Sequence, residues 1–222
     1  MSSNEASVPT ANHADSMDAI YRTQRHIYDL TRKYYLLGRD RLIDDLAPPP
    51  GGLVLEMGCG TARNLIVAAR RYPHAQFLGF DISEAMLENA RASIMRAGLS
   101  DRIQVTKGDA TAFTPRRLFG IGRVDRVFCS YTLSMIPGWE QAIEAGAAAL
   151  APGGRMHIVD FGRQQGLPEW FARGLHAWLD RFQVSPRRDM EAVVRQVAHE
   201  RGLLVEHRNL YRGYAQYAVV RG

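Results

Sequence analysis

The chain has 222 residues, of which 46% are hydrophobic and 23% charged. That balance suits one globular domain with modest extensions and excludes a disordered or fibrous chain. No apolar run approaches the roughly 20 residues of a spanning helix, and the two cysteines, Cys59 and Cys129, lie outside any metal-ligand spacing, as reduced thiols would. A formal charge of +5 and a pI near 9.5 favour an anionic partner, whether nucleic acid, acidic substrate or membrane surface.

Residues 1–16, small and polar, read as a disordered tail rather than a signal peptide. From Asp18 to Leu46 the sequence predicts one long helix, stopped by Pro48, Pro49 and Pro50. Tyr21, Tyr28 and Tyr35 recur every seven residues on one face, and Arg25, Arg32 and Arg39 run beside them. A core-packing face would favour leucine and isoleucine. Tyrosine keeps a polar tip and a ring face that attracts cations. Residues 17–47 thus form a helical cap, and residues 48–222 the main domain.

The stretch from Leu53 to Asn64 reads as a buried strand, a tight turn through Gly58, Cys59 and Gly60, and a helix start at Thr61, after which Ala62–Arg71 is a helix. Glycines here permit positive φ and close approach of a ligand to the backbone, beside the free N–H groups of a helix start. The position of the third glycine in a dinucleotide fingerprint is Arg63, which argues against a pyrophosphate. A second strand, Gln76–Phe80, ends at Asp81, 21 residues past Gly60, where a carboxylate can accept from ribose hydroxyls or cap the following helix, Ser83–Ala97. Arg102–Lys107 is a third strand, followed by Gly108, Asp109 and Ala110. Val124–Ser130 is a fourth, followed by Tyr131 and Thr132.

Trp139–Leu150 is a helix closed by Pro152, Gly153 and Gly154, and Arg155–Asp160 is a fifth strand. Leu167–Phe182 and Arg188–Arg201 are further helices. The first, with Trp170, Phe171, His176 and Trp178, either packs on the sheet as a crossover or covers a site. Leu203–Asn209 and Tyr214–Val220 alternate as an antiparallel pair joined through Tyr211 and Arg212.

The Glu-x-Gly-x-Gly stretch at Glu56, Gly58 and Gly60 resembles motif I of the class I S-adenosylmethionine-dependent methyltransferases. The resemblance extends from Leu53 to Val220. It implies a Rossmann-like α/β fold with a seven-stranded, mostly parallel sheet whose last strand is antiparallel, beneath an N-terminal helical cap. It implies cofactor contacts from Glu56, Gly58, Cys59, Gly60, Thr61, Asn64, Asp81, Ile82, Gly108, Asp109, Ala110 and Ser130, with Glu56 at the amino group and Asp109 at the adenine amine. S-adenosylhomocysteine is the implied product, and no metal is expected. Enzymes of this family that act on base amines often carry Asn-Pro-Pro-Tyr or Asp-Pro-Pro-Tyr after the fourth strand. Ser130, Tyr131 and Thr132 stand there instead, which argues against a nucleic-acid substrate.

The tyrosine-rich N-terminal segment and the C-terminal Tyr-Arg-Gly-Tyr are similar to those of the diacylglyceryl-homoserine N-methyltransferases of bacterial betaine-lipid synthesis. That likeness implies trimethylation of the lipid's amino group. The candidate aromatic cage is Tyr21, Tyr28, Tyr131, Tyr211 and Tyr214, since a cation gains on the order of 0.5–2 kcal/mol over a ring without needing an N–H donor. Arg25 and Arg212 are candidates for the substrate carboxylate, and His26 for a proton relay. The basic N-terminal residues suit an anionic membrane surface. A cytoplasmic protein peripheral at the inner face of the membrane is expected, with an amino-carboxypropyl transferase of the same pathway as partner. Phosphatidylethanolamine or another amine is the alternative acceptor. A nicotinamide-dependent oxidoreductase or a catalytically silent cofactor-binding module are the alternative functions.

Overall fold

The computed structural model describes residues 36–181 and 184–222. The proposed site residues Tyr21, Arg25, His26 and Tyr28, and the basic residues beside them, lie outside that range. Within it, α1 (Arg39–Asp45) starts immediately after Gly38, whose φ of 87° is left-handed. The expected single helix from Asp18 to Leu46 is therefore corrected, because a residue at that φ cannot lie inside a right-handed helix.

The main domain then alternates strand and helix. β1 (Leu53–Met57), α2 (Arg63–Arg71), β2 (Gln76–Asp81), α3 (Glu84–Arg96) and β3 (Ile103–Lys107) make the first half. The second half contains α4 (Pro115–Phe119), β4 (Val124–Ser130), α5 (Trp139–Ala148) and β5 (Leu150–Phe161). It ends with α6 (Glu169–Arg181), α7 (Met190–Glu200), β6 (Leu204–Leu210) and β7 (Ala215–Arg221). The Ser83 hydroxyl accepts from the Met86 N–H and so starts α3, and Thr114 does the same for α4 through Arg117. The Pro-Gly-Gly turn expected ahead of the fifth strand falls within β5, where pairing with β4 shifts register between Val124 and Arg126.

The seven strands lie in the order β3-β2-β1-β4-β5-β7-β6. All neighbours are parallel except β7, which runs antiparallel between β5 and β6. This is the class I methyltransferase sheet that the resemblance implied. Strand order reverses between β1 and β4, so a crevice opens beyond their carboxyl ends, the usual ligand position in open α/β sheets.

One core cluster joins Met57, Val127, Met156 and Ile158 of the sheet to Ile143 of α5 and Val194 of α7. Leu65 of α2 and Leu87 of α3 are buried outside it. Each such leucine contributes about 2 kcal/mol by leaving water. α6 behaves differently. Leu179 is its one buried residue, while Trp170 and Phe171 are exposed, so it is not a crossover helix packed along its length.

Candidate functional site

The glycine turn after β1 is built by positive φ at Gly58 (65°) and Gly60 (52°). A Cβ on Gly58 would overlap the Thr132 methyl group, so the turn and the segment after β4 approach at backbone distance only because that side chain is missing. The Cys59 N–H donates to the Phe80 carbonyl at 2.9 Å, and the Gly60 N–H to Asp81 Oδ2 at 2.8 Å. The Ser83 N–H donates to Asp81 Oδ1 at 3.0 Å, and the Gly108 N–H to the Asp81 carbonyl at 3.0 Å. Asp81 thus ties together the ends of β1, β2 and β3. The helix cap is Ser83.

Glu56 is buried at the end of β1, and its Oε1 accepts 2.7 Å from Asn64 Nδ2 on α2. After β3, Asp109 Oδ1 accepts from the Thr111 N–H at 2.9 Å and the Thr111 hydroxyl at 2.8 Å. Thr61, Ile82 and Gly108 are half-buried around these groups, and Ala110 is buried. Ser130 closes β4, with its Oγ buried and making no hydrogen bond. Burial raises the Cys59 thiol well above its usual value, with the charges of Asp81 and Glu56 adding to it, so it stays neutral.

The other side of the crevice is aromatic. Tyr131 is buried with φ of 56°; its N–H donates to the Val159 carbonyl and its hydroxyl to the Leu37 carbonyl at 2.6 Å. Its ring meets Phe161 edge-on at 4.7 Å, and Phe161 meets Tyr214 at 6.0 Å. Burial pushes the Tyr131 phenol well up, helped by Tyr214 and Asp160, and pushes Tyr214 to about 12. Both are neutral phenols at physiological pH.

Asp160, which precedes Phe161 in β5, is fully buried and accepts from the Ser134 N–H at 3.0 Å and the Phe161 N–H at 2.7 Å. Burial raises its pKa to about 6 against those hydrogen bonds. The β6–β7 turn comes next. Tyr211 (φ 52°) and Arg212 (φ 57°) sit between Leu210 and Gly213, whose N–H returns to the Leu210 carbonyl at 3.0 Å. Both are exposed, and two consecutive positive φ values are what a type I′ hairpin turn requires. The loop after β5 is hydrogen-bonded to this turn, Gln164 N–H to Gly213 carbonyl at 2.7 Å and Gly166 N–H to Arg212 carbonyl at 3.1 Å.

The structure thus groups Glu56, Asn64, Asp81 and Asp109 at the ends of the first three strands, and Tyr131 with Tyr214 at the ends of β4 and β7. Tyr211 and Arg212 lie on the adjoining turn. Phe161, Asp160 and Gln164 are additions that sequence reading missed. Phe161 resembles any core residue in a strand, and Asp160 and Gln164 stand out only once their burial is known. A cleft of about 470 Å³ lies elsewhere, between α3 and the β2–β3 edge around Arg91 and Arg102.

Comparison with known proteins agrees with this geometry. Residues 54–154 match the model of the methyltransferase domain. The ubiquinone/menaquinone biosynthesis C-methyltransferase UbiE of Cereibacter sphaeroides is 26% identical over 69% of this chain and 62% of its own length. An O-methyltransferase family protein from Burkholderia thailandensis superposes with a TM-score of 0.68 at 17% identity, over 92% of this chain and 62% of that one. A protein crystallised with the Haloferax volcanii Trm112 methyltransferase activator superposes with a TM-score of 0.71 at 17% identity, over 94% and 96%. The chain spans 34% to 62% of the length of the first curated relatives it matches.

These findings correct one expectation. The protein was expected to be membrane-associated through lipid metabolism. Among the described residues no helix is long and apolar enough to cross a membrane, and the relatives named above are not specific to betaine-lipid synthesis. Membrane association is therefore withdrawn.

The residues present fit S-adenosylmethionine. Carboxylates at three adjacent strand ends suit its ammonium, ribose hydroxyls and adenine amine, and the Ser130 hydroxyl is a buried polar atom without a hydrogen bond.

Proposed function

We propose that the protein, whose residues 54–154 match the model of a methyltransferase domain, is an S-adenosylmethionine-dependent N-methyltransferase whose acceptor is the amino group of diacylglyceryl-homoserine, methylated to the trimethylammonium. The observation that carries the amine reading is the row Tyr131, Phe161 and Tyr214, neutral aromatic rings set beside a buried carboxyl, Asp160.

S-adenosylmethionine, when bound, supplies a methyl group on a sulfonium, ready for in-line displacement. Glu56 and Asp81 hold the donor, and the glycine turn lets it approach the backbone. The rings of Tyr131, Phe161 and Tyr214 suit a nitrogen that carries one, two and then three methyls, because a ring face attracts a cation without requiring an N–H. The phenols of Tyr131 and Tyr214 remain protonated, so neither is itself an anionic base at neutral pH. Asp160 supplies a nearby negative charge above pH 6, which favours the ammonium as it forms. Arg212, exposed on the neighbouring turn, is the cation for the acceptor's carboxylate.

The test is mass spectrometry of lipid after incubation with S-adenosylmethionine and either diacylglyceryl-homoserine or phosphatidylethanolamine in mixed micelles. Stepwise methylation of the former supports the reading, and methylation of phosphatidylethanolamine alone would replace the acceptor.

A further inference from the structure

Gln164, three residues beyond Phe161, combines two costly features. Its φ is 60°, in the left-handed region that a residue with a Cβ rarely adopts. Its side chain is 4% exposed, and both Nε2 and Oε1 are buried without a hydrogen bond. The backbone is nonetheless held firmly. The Gln164 N–H donates to the Gly213 carbonyl at 2.7 Å, and its carbonyl accepts from Leu167 at 3.2 Å. Buried carboxamides in native proteins are almost always paired, and strained backbone concentrates where a ligand is held. A donor and an acceptor are kept dry and unpaired on the loop that is hydrogen-bonded to Tyr214 and Arg212, and a bound molecule could supply their partner.

We infer that Gln164 is the specificity-determining residue for an acceptor carrying a carboxylate next to its amine, with Nε2 donating to the carboxylate throughout and Oε1 accepting from the amino group while it still carries an N–H. The inference rests on the N-methyltransferase reading above. A carboxamide is complementary to an amino-acid headgroup, since it offers one donor and one acceptor side by side. An ethanolamine headgroup lacks the carboxylate and would leave Nε2 unpaired, which is how a buried polar site rejects the wrong substrate. Arg212 reinforces the preference from the exposed side of the same turn.

The experiment compares wild type with Gln164→Gly and Gln164→Glu on diacylglyceryl-homoserine and on phosphatidylethanolamine in mixed micelles, alongside melting temperature and S-adenosylhomocysteine binding. Glycine accepts the backbone angle, so Gln164→Gly is expected to melt no lower than wild type and to bind S-adenosylhomocysteine equally well. Its kcat/KM for the homoserine lipid should drop about tenfold or more, and the ratio between the two lipids should collapse. Gln164→Glu keeps the size but repels a carboxylate, and should lower that ratio further. An unchanged ratio in both variants, with an active wild type, would overturn the role of Gln164 alone. A wild type that binds S-adenosylhomocysteine but methylates neither lipid would overturn the amine reading and this inference with it.

Discussion

The Tyr131 hydroxyl donates to the Leu37 carbonyl across 2.6 Å, joining the end of β4 to the residue before the left-handed Gly38 that opens α1. One side chain therefore both lines the aromatic side of the crevice and holds the chain entering the main domain. Tyr131→Phe keeps the ring and its edge contact with Phe161 but leaves the carbonyl without that donor. It should cost about 1 kcal/mol in denaturant unfolding and leave S-adenosylhomocysteine binding unchanged. Tyr131→Ala removes the ring, and should cost about 3 kcal/mol or more and abolish methyl transfer.

The Tyr211–Arg212 turn is the second place where stability and function should separate. Both residues hold positive φ where Asn-Gly would be relaxed. Replacing Arg212 by glycine should stabilise the hairpin by up to about 1 kcal/mol. Turnover of a carboxylate-bearing acceptor should fall in the same variant. Parallel thermal melts and steady-state assays check both halves, and a variant that is at once more stable and fully active would remove Arg212 from the site.

Asp81 should matter to the donor and not to the acceptor. Its carboxylate accepts the Gly60 and Ser83 N–H groups, so Asp81→Ala loosens the glycine turn and removes the proposed acceptor for a ribose hydroxyl. S-adenosylhomocysteine at a hundred times its Kd should stabilise wild type by about 2.7 kcal/mol. The variant should lose most of that shift, as read by melting at fixed ligand concentration.

Two buried groups pull stability in opposite directions as pH falls. His157 is buried with Nδ1 2.9 Å from the Tyr217 hydroxyl, and burial, with Arg126, lowers its pKa to about 4. The unfolded chain takes up the proton first, so stability is lost as pH drops from about 6.5 toward 4, by about 2 kcal/mol between pH 7.5 and 5. Asp160 has a raised pKa of about 6. The native state takes up that proton first, so protonation returns about 1 kcal/mol over the same range. Urea unfolding of Asp160→Asn should therefore show a steeper loss toward pH 5 than wild type, and His157→Gln a shallower one.

The sheet and the strand-end acids beside the glycine turn were legible because they depend on local pattern. The apolar run of β1, the glycines at 58 and 60 and the acid at 81 each follow from spacing along the chain. The short helix α4 was missed although Thr114, Pro115 and Gly120 are ordinary start and stop signals, because five residues give no periodicity to read. Gly38 lies inside the segment predicted as one helix, and only its φ shows that it breaks it. Asp160 and Gln164 differ again. An aspartate ending a strand and a glutamine in a loop are commonplace in sequence, and their meaning comes from burial supplied by β7 and the 211–214 turn, some fifty residues later.

The most direct test of the amine-methylation account is mass spectrometry of diacylglyceryl-homoserine incubated in mixed micelles with the purified protein and S-adenosylmethionine. Successive gains of one methyl, ending at the trimethylated lipid, are the expected result. An unmodified lipid in the presence of protein that still binds S-adenosylhomocysteine would contradict the acceptor assignment while leaving the fold and the donor site standing.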